Sequence, residues 1–472
     1  MTSWATDELR EINLGDERLN RRYISILDAC DEHCTESLPI AMGSDAACKG
    51  LYRLFANDKV TAARLLKPHQ YQTRERARTA GFVLLIQDTT SCDLTAKTQM
   101  TGLGRLENDH CRGLFVHSTL AMSLDGVPLG VLDQYRWARE LGPRNDPRPR
   151  SEIPTDEKES QRWVDSFARS QRLIAPSVTS VTIADREADF YDLLTAPRRA
   201  NAHLLIRARF NRRVDDATAW ADTQWEAVRA TPPATTIDVE LPRHHAGTQN
   251  TKGRVATLAI RYATLTLAAP SYKGGPPLEL QHILVEEVDP PAGVQPIRWQ
   301  LLTTLPIASP EVARLYVEWY SSRWLIERFH FVLKSGCGIE DLQFQSRERW
   351  ECALVTYSIV AWHLLALLYF ARTHPEVHCE VLLTTEEWHV LSHLAAPHSP
   401  VSASPPTVKQ AVRLLGRLGG FRGRKCDHEP GIKALWRGWQ RLQDMMVGYH
   451  MAGNRSVEER DQELECRFVG TA

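Results

Sequence analysis

Strand-like and helical segments follow one another in an order that few folds can satisfy. Three apolar runs separated by short polar joints predict an antiparallel meander, and a later strand–helix–strand order predicts a parallel crossover. A chain that contains both arrangements builds a mixed sheet, so we expect an α/β fold. The strand-like runs cover residues 82–86, 113–122, 128–132, 178–183 and 203–206, and the polar helix covers 156–173.

Changes in the residue pattern along the sequence predict how the chain is divided into domains. Residues 1–70 have apolar residues at helical spacing and scattered basic residues. Residues 71–372 carry the mixed-sheet pattern, interrupted at about 211–305 by strand-like patches between Pro- and Gly-rich joints, which predict an all-β insertion. Residues 373–472 are again helical, apart from a Pro- and Ser-rich stretch at 395–407 that is typical of a surface loop.

Charge and cysteine content exclude some classes of protein. The chain has 57 Lys and Arg against 58 Asp and Glu, a net charge of −1, which excludes a small, wholly basic nucleic-acid-binding domain. A large enzyme whose basic residues cluster on one face remains compatible. The ten cysteines form no CxxC pair, and the polar N-terminus resembles no secretory signal. We therefore expect a cytoplasmic protein.

An apolar segment at 353–371 allows two interpretations. It contains no Lys, Arg, Asp or Glu and is close to the roughly 20 residues that a membrane helix needs. It also contains Thr356, Tyr357, Ser358 and His363, and a helix buried in a large core is likewise apolar all round. We favour the core helix and expect no membrane association.

Two strand-like runs lead into an aspartate, Asp88 in VLLIQDTTS and Asp185 in VTIADREADF. Burying an acid at the end of a strand is costly unless it binds something. In open α/β sheets the carboxyl ends of the strands face the ligand crevice, so two neighbouring strands would bring both carboxylates there. The alternative for each residue taken singly is a capping aspartate at a strand–loop junction.

A helical segment at 311–333 presents a stripe of chemically reactive side chains. At about 100° per residue, Tyr320, Arg323, Glu327 and Lys334 share one narrow face. The pattern alone also fits a solvated helix face, but it occurs in a chain with two strand-end aspartates. The apolar residues on the far side are Leu325, Phe329, Val332 and Leu333.

Three carboxylates, from Asp88, Asp185 and Glu327, suit a pair of Mg²⁺ ions. Two ions about 3.5–4 Å apart can activate a water or a 3′-hydroxyl and steady the leaving oxygen in phosphodiester displacement. Arg323 and Lys334 would then hold a nearby phosphate. This combination indicates a nuclease or a DNA strand transferase.

The same residues carry a resemblance to a known family. The motifs DTTS at Asp88, DREADF at Asp185, and Y-x2-R-x3-E-x6-K from Tyr320 to Lys334 resemble those of the DDE transposases of the IS4/Tn5 type. Segments along nearly the whole chain are similar to the same family. They are LGDERLNRR and AACKGLYRLFAND near the N-terminus, DEKESQRW and VEEVDPP in the middle, and LGRLGGF and LWRGWQRLQ near the C-terminus.

The resemblance implies an RNase H-like catalytic core with a β insertion before the helix that carries Glu327. It implies metal ligation by Asp88, Asp185 and Glu327, with Mg²⁺ as the cofactor and Mn²⁺ as a substitute. It implies that Trp299 stacks on a flipped base, a contact worth about 1–3 kcal/mol. A core Trp of the β insertion is the alternative for this residue. The phosphate-gripping residues that it implies are Tyr320, Arg323 and Lys334.

The implied reaction is cut-and-paste transposition on double-stranded DNA. Water nicks the transposon end at its inverted repeat, the freed 3′-hydroxyl attacks the opposite strand to give a hairpin, and the reopened end is transferred into target DNA. The family acts as a homodimer on paired ends through its C-terminal part, which here matches chiefly over residues 415–445, and we expect a bacterial, nucleoid-associated protein. The alternatives are an RNase H-like host nuclease and a catalytically silent DNA-binding regulator.

Overall fold

The N-terminal part of the protein is helical, as the sequence predicts. The computed structural model describes residues 3–449, apart from 109, 141–147, 150–151, 216–220, 242–243, 247–248, 252, 272, 382, 396–403, 425–428 and 447. Side chains of Ser3, Asp16, Ser44 and Thr61 each accept a hydrogen bond from a first-turn N–H and so begin four of the helices. The helices are α1 (Trp4–Glu8), α2 (Glu17–Glu32), α3 (Leu38–Ala41), α4 (Asp45–Phe55) and α5 (Ala62–Ala80).

Helix α5 connects this helical part to the sheet. It crosses residue 70, where we expect a domain boundary, and ends at Gly81, whose φ of 70° is the left-handed conformation that glycine adopts readily. It packs against the fourth strand of the sheet and against the long core helix. The N-terminal helices are therefore joined to the core by packing as well as by the chain.

Ten strands among the described residues form a single mixed sheet, which confirms the predicted fold class. Its order is β2-β3-β1-β5-β6-β12-β11-β10-β7, with β4 paired to β3. Strand β1 runs antiparallel to β3 and parallel to β5, and β5 runs parallel to β6. The strands of the first half are β1 (Phe82–Asp93), β2 (Gly104–Arg105), β3 (Arg112–Met122), β4 (Pro128–Trp137), β5 (Thr179–Ala184) and β6 (Ala202–Arg207).

The β insertion extends this same sheet. Its last strand pairs antiparallel with β6, so that Leu302 lies opposite Ile206. The segment 211–305 is not all-β as expected, because it also contains a short helix, α8 (Gln224–Arg229). Its strands are β7 (Thr235–Leu241), β10 (Arg254–Leu267), β11 (Leu278–Glu287) and β12 (Arg298–Thr303), with β8 (His244–Ala246) and β9 (Gln249–Thr251) forming a separate pair.

Helices cover both faces of the sheet. On β6, Leu205 belongs to the same core as Phe329 and Trp350. Leu204 and Ile206, which flank it in the sequence, pack with Trp163 on the other side of the sheet. Successive residues of a strand point to opposite faces, so the sheet lies between two helical layers. The helices of these layers are α6 (Gln161–Leu173), α7 (Tyr191–Leu194), α9 (Pro310–Ser321), α10 (Trp324–Phe331) and α11 (Arg347–Thr373).

The apolar segment at 353–371 lies within α11 and is a core helix. Among the described residues, α11 is the one helix long and apolar enough to cross a membrane, and 67% of its most apolar window is buried inside the protein. Two of its polar side chains have partners there: Trp362 Nε1 donates to the Pro128 carbonyl at 3.0 Å, and His363 Nδ1 lies 3.0 Å from Asp31 Oδ1. This burial supports the core-helix interpretation over the membrane one.

The C-terminal part is also helical. It contains α12 (Thr385–Ala395), α13 (Val408–Leu418) and a last helix over residues 432–446. Thr407 and Gln410 form a capping box that begins α13. The surface loop predicted at 395–407 lies largely outside the described residues, as does the C-terminal end of the predicted 373–472 region.

Candidate active site

Asp88 and Asp185 occupy equivalent positions on two neighbouring parallel strands. The parallel pairing of β1 with β5 ends at the pair Ile86–Ile183, and each aspartate is two residues further along its chain. Asp185 directly follows β5, as the sequence predicts. Strand β1, in contrast, continues through Asp88 to Asp93 because it remains paired with β3.

Each aspartate also makes the local hydrogen bond expected of a capping residue. Asp88 Oδ1 accepts from the Thr89 N–H at 2.9 Å, and Asp185 Oδ1 accepts from the Glu187 N–H at 2.9 Å. One oxygen of each carboxylate thus holds the backbone that follows its aspartate, within β1 for Asp88 and in the turn after β5 for Asp185. Among the described contacts, Oδ2 of Asp185 is left available to a ligand, and Oδ2 of Asp88 has only the Arg323 guanidinium, at 3.9 Å.

The electrostatics of Asp88 are those of an acid-rich site. Burial, together with the negative charge of Asp185, raises the pKa of the Asp88 carboxyl to about 7. The hydrogen bond from Thr89 and the positive charge of Arg323 lower this pKa but do not outweigh the burial. The charges of Asp185 and Glu327 both act on Asp88, and such a cluster of acids favours binding of a cation.

Arg323 connects Glu327 with Asp88, because its guanidinium contacts both carboxylates. Arg323 begins helix α10, and its Nη2 donates to Glu327 Oε1 at 2.5 Å across one helical turn. Its Nη1 lies 3.9 Å from Asp88 Oδ2. The guanidinium thus stands between two of the three predicted carboxylates. Among the described residues, no group of three His, Cys, Asp or Glu side chains is arranged to hold a metal ion.

Tyr320 and Trp299 are two further predicted site residues, and their rings contact each other. Tyr320 is 3% exposed, and its hydroxyl has no hydrogen-bond partner among the described groups. Burial raises the pKa of this phenol, and the charges of Arg323 and Arg207 oppose the shift. The half-buried Trp299 meets Tyr320 edge-on, with 5.5 Å between ring centroids. Tyr320 is close enough to Asp185 to feel its charge, and Trp299 adjoins Tyr320.

Lys334 is separated from the other members of the predicted stripe. The segment 311–333 is not one straight helix: it breaks after α9, and α10 ends in a π-helical turn, Val332–Gly336. The extra residue per turn shifts the direction of Lys334, whose Nζ donates to the Ser91 carbonyl at 2.8 Å and lies 3.1 Å from Glu340 Oε1. Lys334 thus lies along β1, three residues beyond Asp88. The apolar far side is confirmed as core, since Leu325, Phe329, Val332 and Leu333 are all buried.

Arg162, in α6, is a site residue that the sequence reasoning missed. Its Nε donates to Thr89 Oγ1 at 3.0 Å, and its Nη2 bonds to Glu187 Oε2 at 2.6 Å. It therefore links the residue after Asp88 with the loop that follows Asp185. The available signal was its place in the segment DEKESQRW, which resembles the transposase family.

The fold and these residues define a class of enzyme. A mixed sheet whose parallel strands bring two aspartates together, and an adjoining helix that carries a glutamate, are the features of an RNase H-like enzyme that cleaves and joins DNA strands. Models of three protein families match the chain in the corresponding order. Transposase DNA-binding matches residues 1–60, the transposase DDE domain matches 154–362, and the transposase Tn5 dimerisation domain matches 359–459.

The chain belongs to the DDE transposases of the IS4/Tn5 type, and it is a DNA-cleaving and strand-transferring enzyme. Its terminal regions correspond to DNA binding and to homodimer formation. The family uses divalent metal ions. Asp185 and Glu327 lie inside the matched DDE segment, whereas Asp88 precedes it.

Proposed function

We propose that this protein cleaves DNA at the inverted-repeat ends of a transposon, forms a hairpin, and transfers the reopened ends into target DNA, with Asp88, Asp185 and Glu327 as the catalytic acids. The observation that supports this assignment best is the register of β1 and β5. It places the two aspartates at equivalent positions on adjacent strands, and Arg323 connects Asp88 to Glu327.

The residues fit a divalent cation, with Mg²⁺ as the natural ion and Mn²⁺ able to replace it. All three donors are carboxylates, and burial together with the charge of Asp185 raises the pKa of Asp88 to about 7. Mg²⁺ is often held by one or two carboxylates together with phosphate oxygens, so a preassembled set of three ligands is not required. When bound, the ion supplies Lewis-acid stabilisation of the attacking and leaving oxygens.

The other side chains hold the phosphate that reacts. Arg323 offers a planar pair of N–H donors beside the acids, the geometry that binds a phosphate bidentately. The buried, unpartnered hydroxyl of Tyr320 donates to another oxygen of the same phosphate. Lys334, which contacts β1 at Ser91, binds the neighbouring phosphate of the DNA strand. Together these groups orient the scissile bond, and positioning is the larger part of catalysis in phosphoryl transfer.

Trp299 receives a base displaced from the duplex. Its indole is half-buried at the start of β12 and meets the ring of Tyr320 edge-on. Removing one base from the stack makes room for the sharp bend of a hairpin, and an aromatic face compensates for the lost stacking.

We propose three domains, each with its own role in this reaction. Residues 1–70 recognise the transposon end, 71–372 form the catalytic domain with its insertion at about 211–305, and 373–472 form the dimer on paired ends. The protein works on the bacterial nucleoid. A host nuclease or a silent regulator would not need matched regions for DNA binding, catalysis and dimerisation together.

A cleavage assay tests the proposal. Purified protein is incubated in Mg²⁺ with a duplex that carries the inverted repeat bordering its gene, and products are separated on a denaturing gel. We expect a nick at the repeat boundary, followed by a hairpin of twice the strand length. Random nicking of unrelated duplexes at the same rate would favour the host nuclease, and absence of cleavage would favour the regulator.

A further inference from the structure

The backbone pairing that aligns Asp88 with Asp185 stops short of both residues. The last partners in the parallel ladder of β1 and β5 are Ile86 and Ile183. Beyond them β1 continues beside β3, whereas the chain after Asp185 turns into a short 3₁₀ helix, Arg186–Ala188. The negative charge of Asp185 acts on Asp88, and two carboxylates of like charge repel each other. Contacts other than the ladder must therefore fix the distance between them.

A single guanidinium joins the two segments just beyond the end of the ladder. Arg162 Nε donates to Thr89 Oγ1 at 3.0 Å, and Arg162 Nη2 bonds to Glu187 Oε2 at 2.6 Å. The backbone N–H of Thr89 is the group that donates to Asp88 Oδ1 at 2.9 Å. The backbone N–H of Glu187 is the group that donates to Asp185 Oδ1, also at 2.9 Å. Arg162 thus holds the side chains of the two residues whose backbones hold the catalytic carboxylates.

Arg162 is itself held in place. Its side chain is only 10% exposed, its Nη1 donates to the Glu159 carbonyl at 2.8 Å, and its guanidinium lies 5.3 Å from the centre of the Trp137 ring. Thr89 Oγ1 has a second partner as well, His117 Nδ1 at 2.9 Å. A planar guanidinium presents its donors in a rigid fork, so it can keep two acceptors at a constant separation.

These contacts lie on the face of the sheet opposite to the catalytic acids. The side chain of Thr89 points towards α6, where Arg162 lies. Successive residues of a strand point to opposite faces, so Asp88 points towards α10, where the guanidinium of Arg323 lies 3.9 Å from it. Among the described contacts, Arg162 bonds to none of the three catalytic carboxylates. Any effect that it has on catalysis therefore acts through Thr89 and Glu187.

We propose that Arg162 is a positioning residue that sets the separation of Asp88 and Asp185, and thereby the affinity of the site for its divalent cation. This inference rests on the proposed function, in which both aspartates bind the ion. An ion held by two carboxylates requires both donors at a defined distance. Interactions that orient metal ligands without touching the metal typically contribute about 10- to 100-fold in metal affinity or activity.

Metal binding, measured beside DNA binding, tests this. The full chain is assembled on a transposon-end duplex that already stops at the cleavage position, and the complex is titrated with Mn²⁺. Electron paramagnetic resonance follows the free ion, and the duplex alone serves as the blank. Affinity for the duplex is measured separately in EDTA by fluorescence anisotropy.

Three variants are compared with wild type. Arg162→Ala removes both bonds, whereas Thr89→Val removes one of them and keeps the size of the side chain and its backbone N–H. Arg169→Ala is the matched control, because it removes another arginine of α6 that bonds to the sheet, at Asp133 of β4, with 2.9 Å between Nε and Oδ2.

We expect Arg162→Ala to weaken Mn²⁺ binding roughly ten-fold or more, and Thr89→Val to weaken it by a smaller factor. Both should bind the duplex normally in EDTA. The Mg²⁺ concentration that gives half-maximal cleavage of an uncut end should rise by the same factors. Arg169→Ala should match wild type in all three measurements. If Arg162→Ala lowers the melting temperature more than Arg169→Ala does, Thr89→Val decides the test.

Mn²⁺ affinity at the wild-type level in both Arg162→Ala and Thr89→Val would overturn the inference, as would an equal loss in Arg169→Ala. Weaker binding of the duplex in EDTA, with Mn²⁺ affinity intact, would make Arg162 a DNA contact and overturn it too. Asp88→Asn and Asp185→Asn distinguish these results from failure of the proposed function. If they bind Mn²⁺ as tightly as wild type, the catalytic acids are wrongly assigned, and the proposed function fails together with the inference.

Discussion

Arg323 bonds to Glu327 at 2.5 Å within the site where the acids are expected to bind a cation. The same guanidinium lies 3.9 Å from Asp88, so one arginine contacts two of the three proposed catalytic carboxylates. A phosphate arriving at Arg323 competes with these carboxylates for its N–H groups. The residues that bind DNA and the residues that perform the chemistry are therefore in direct contact, and variants are needed to separate their roles.

Glu327→Gln separates binding from chemistry. The substitution keeps the size and helix propensity of the side chain but removes its charge, so paired-end complexes should still assemble. Nicking, hairpin formation and strand transfer should each fall by about a hundred-fold or more, because one site serves every step. Gel analysis of complex formation beside a cleavage assay in Mg²⁺ measures both effects.

Two comparisons sharpen this test. Asp88→Asn and Asp185→Asn should behave in the same way, whereas Glu318→Gln, an exposed acid of α9, should cleave normally. Cleavage by Glu327→Gln at close to the wild-type rate would remove this residue from the catalytic acids.

The exposed basic residues of α2 and α4 should bind the transposon end. Arg21, Lys49 and Arg53 lie on the surface of the segment that matches transposase DNA-binding. Changing each to Ala should weaken binding to the end duplex, and the slope of log affinity against log salt should fall by about one for each phosphate that is no longer neutralised. Fluorescence anisotropy at several salt concentrations gives this slope. Arg78→Ala, an exposed arginine of α5 outside the match, should leave it unchanged.

The mixed sheet and the pairing of Asp88 with Asp185 could be predicted from the sequence because their signals are local. Each strand is an apolar run, and a parallel crossover brings the ends of its two strands to one edge of the sheet. The contact of Arg323 with Glu327 also follows from a spacing of four residues on a helix.

Other parts depend on contacts that no local pattern encodes. The pairing of β12 with β6, at Leu302 and Ile206, joins residues far apart in the chain. The π-helical turn at Val332–Gly336 changes the direction of Lys334, and a projection at 100° per residue assumes a straight α-helix. The position of Arg162 between Thr89 of β1 and Glu187 depends on how α6 packs on the sheet.

Acid should weaken the attachment of α1 to α5 through a single buried carboxylate. Glu8 is buried, which raises its pKa, but two hydrogen bonds from Arg76 and a close contact with His69 outweigh the burial and lower the pKa from 4.5 to about 2. A carboxyl with a lowered folded-state pKa stabilises the protein above its unfolded pKa. This contribution, at most about 3 kcal/mol, is lost as the pH falls from about 4.5 to 2.

Urea unfolding of wild type and Glu8→Gln at several pH values measures this contribution. The free energy of unfolding should differ most at pH 6, and the difference should shrink steadily below pH 4.5. A difference that stays constant down to pH 2.5 would show that the charge of Glu8 is not the stabilising element.

Trp299→Ala should spare the first nick and impair hairpin formation. The indole provides the stacking surface for a displaced base, a contact worth about 1–3 kcal/mol, and the nick does not need that base to leave the duplex. A substrate with an abasic nucleotide at the flipped position should partly restore hairpin yield, since no base has to be unstacked. If Trp299 serves only as core packing against Tyr320, melting temperature and every reaction step should fall together, and the abasic substrate should restore nothing.

Lys334→Ala should weaken the hold on DNA and slow cleavage as well, in contrast to Glu327→Gln. Among the proposed phosphate-binding residues, Lys334 is the one that the π-helical turn separates from Arg323. Its Nζ lies 3.1 Å from Glu340 Oε1. The same oxygen accepts a hydrogen bond from the Asp93 N–H at 2.8 Å. Glu340→Gln keeps that hydrogen bond but removes the carboxylate that competes with phosphate for Lys334, so affinity for the end duplex should rise, the opposite of Lys334→Ala. Lys97→Ala, which removes a lysine bonded to the Asp341 carbonyl, is the control. Unchanged affinity in Lys334→Ala, with cleavage alone reduced, would assign Lys334 to positioning β1 beside Asp88 instead of to the DNA.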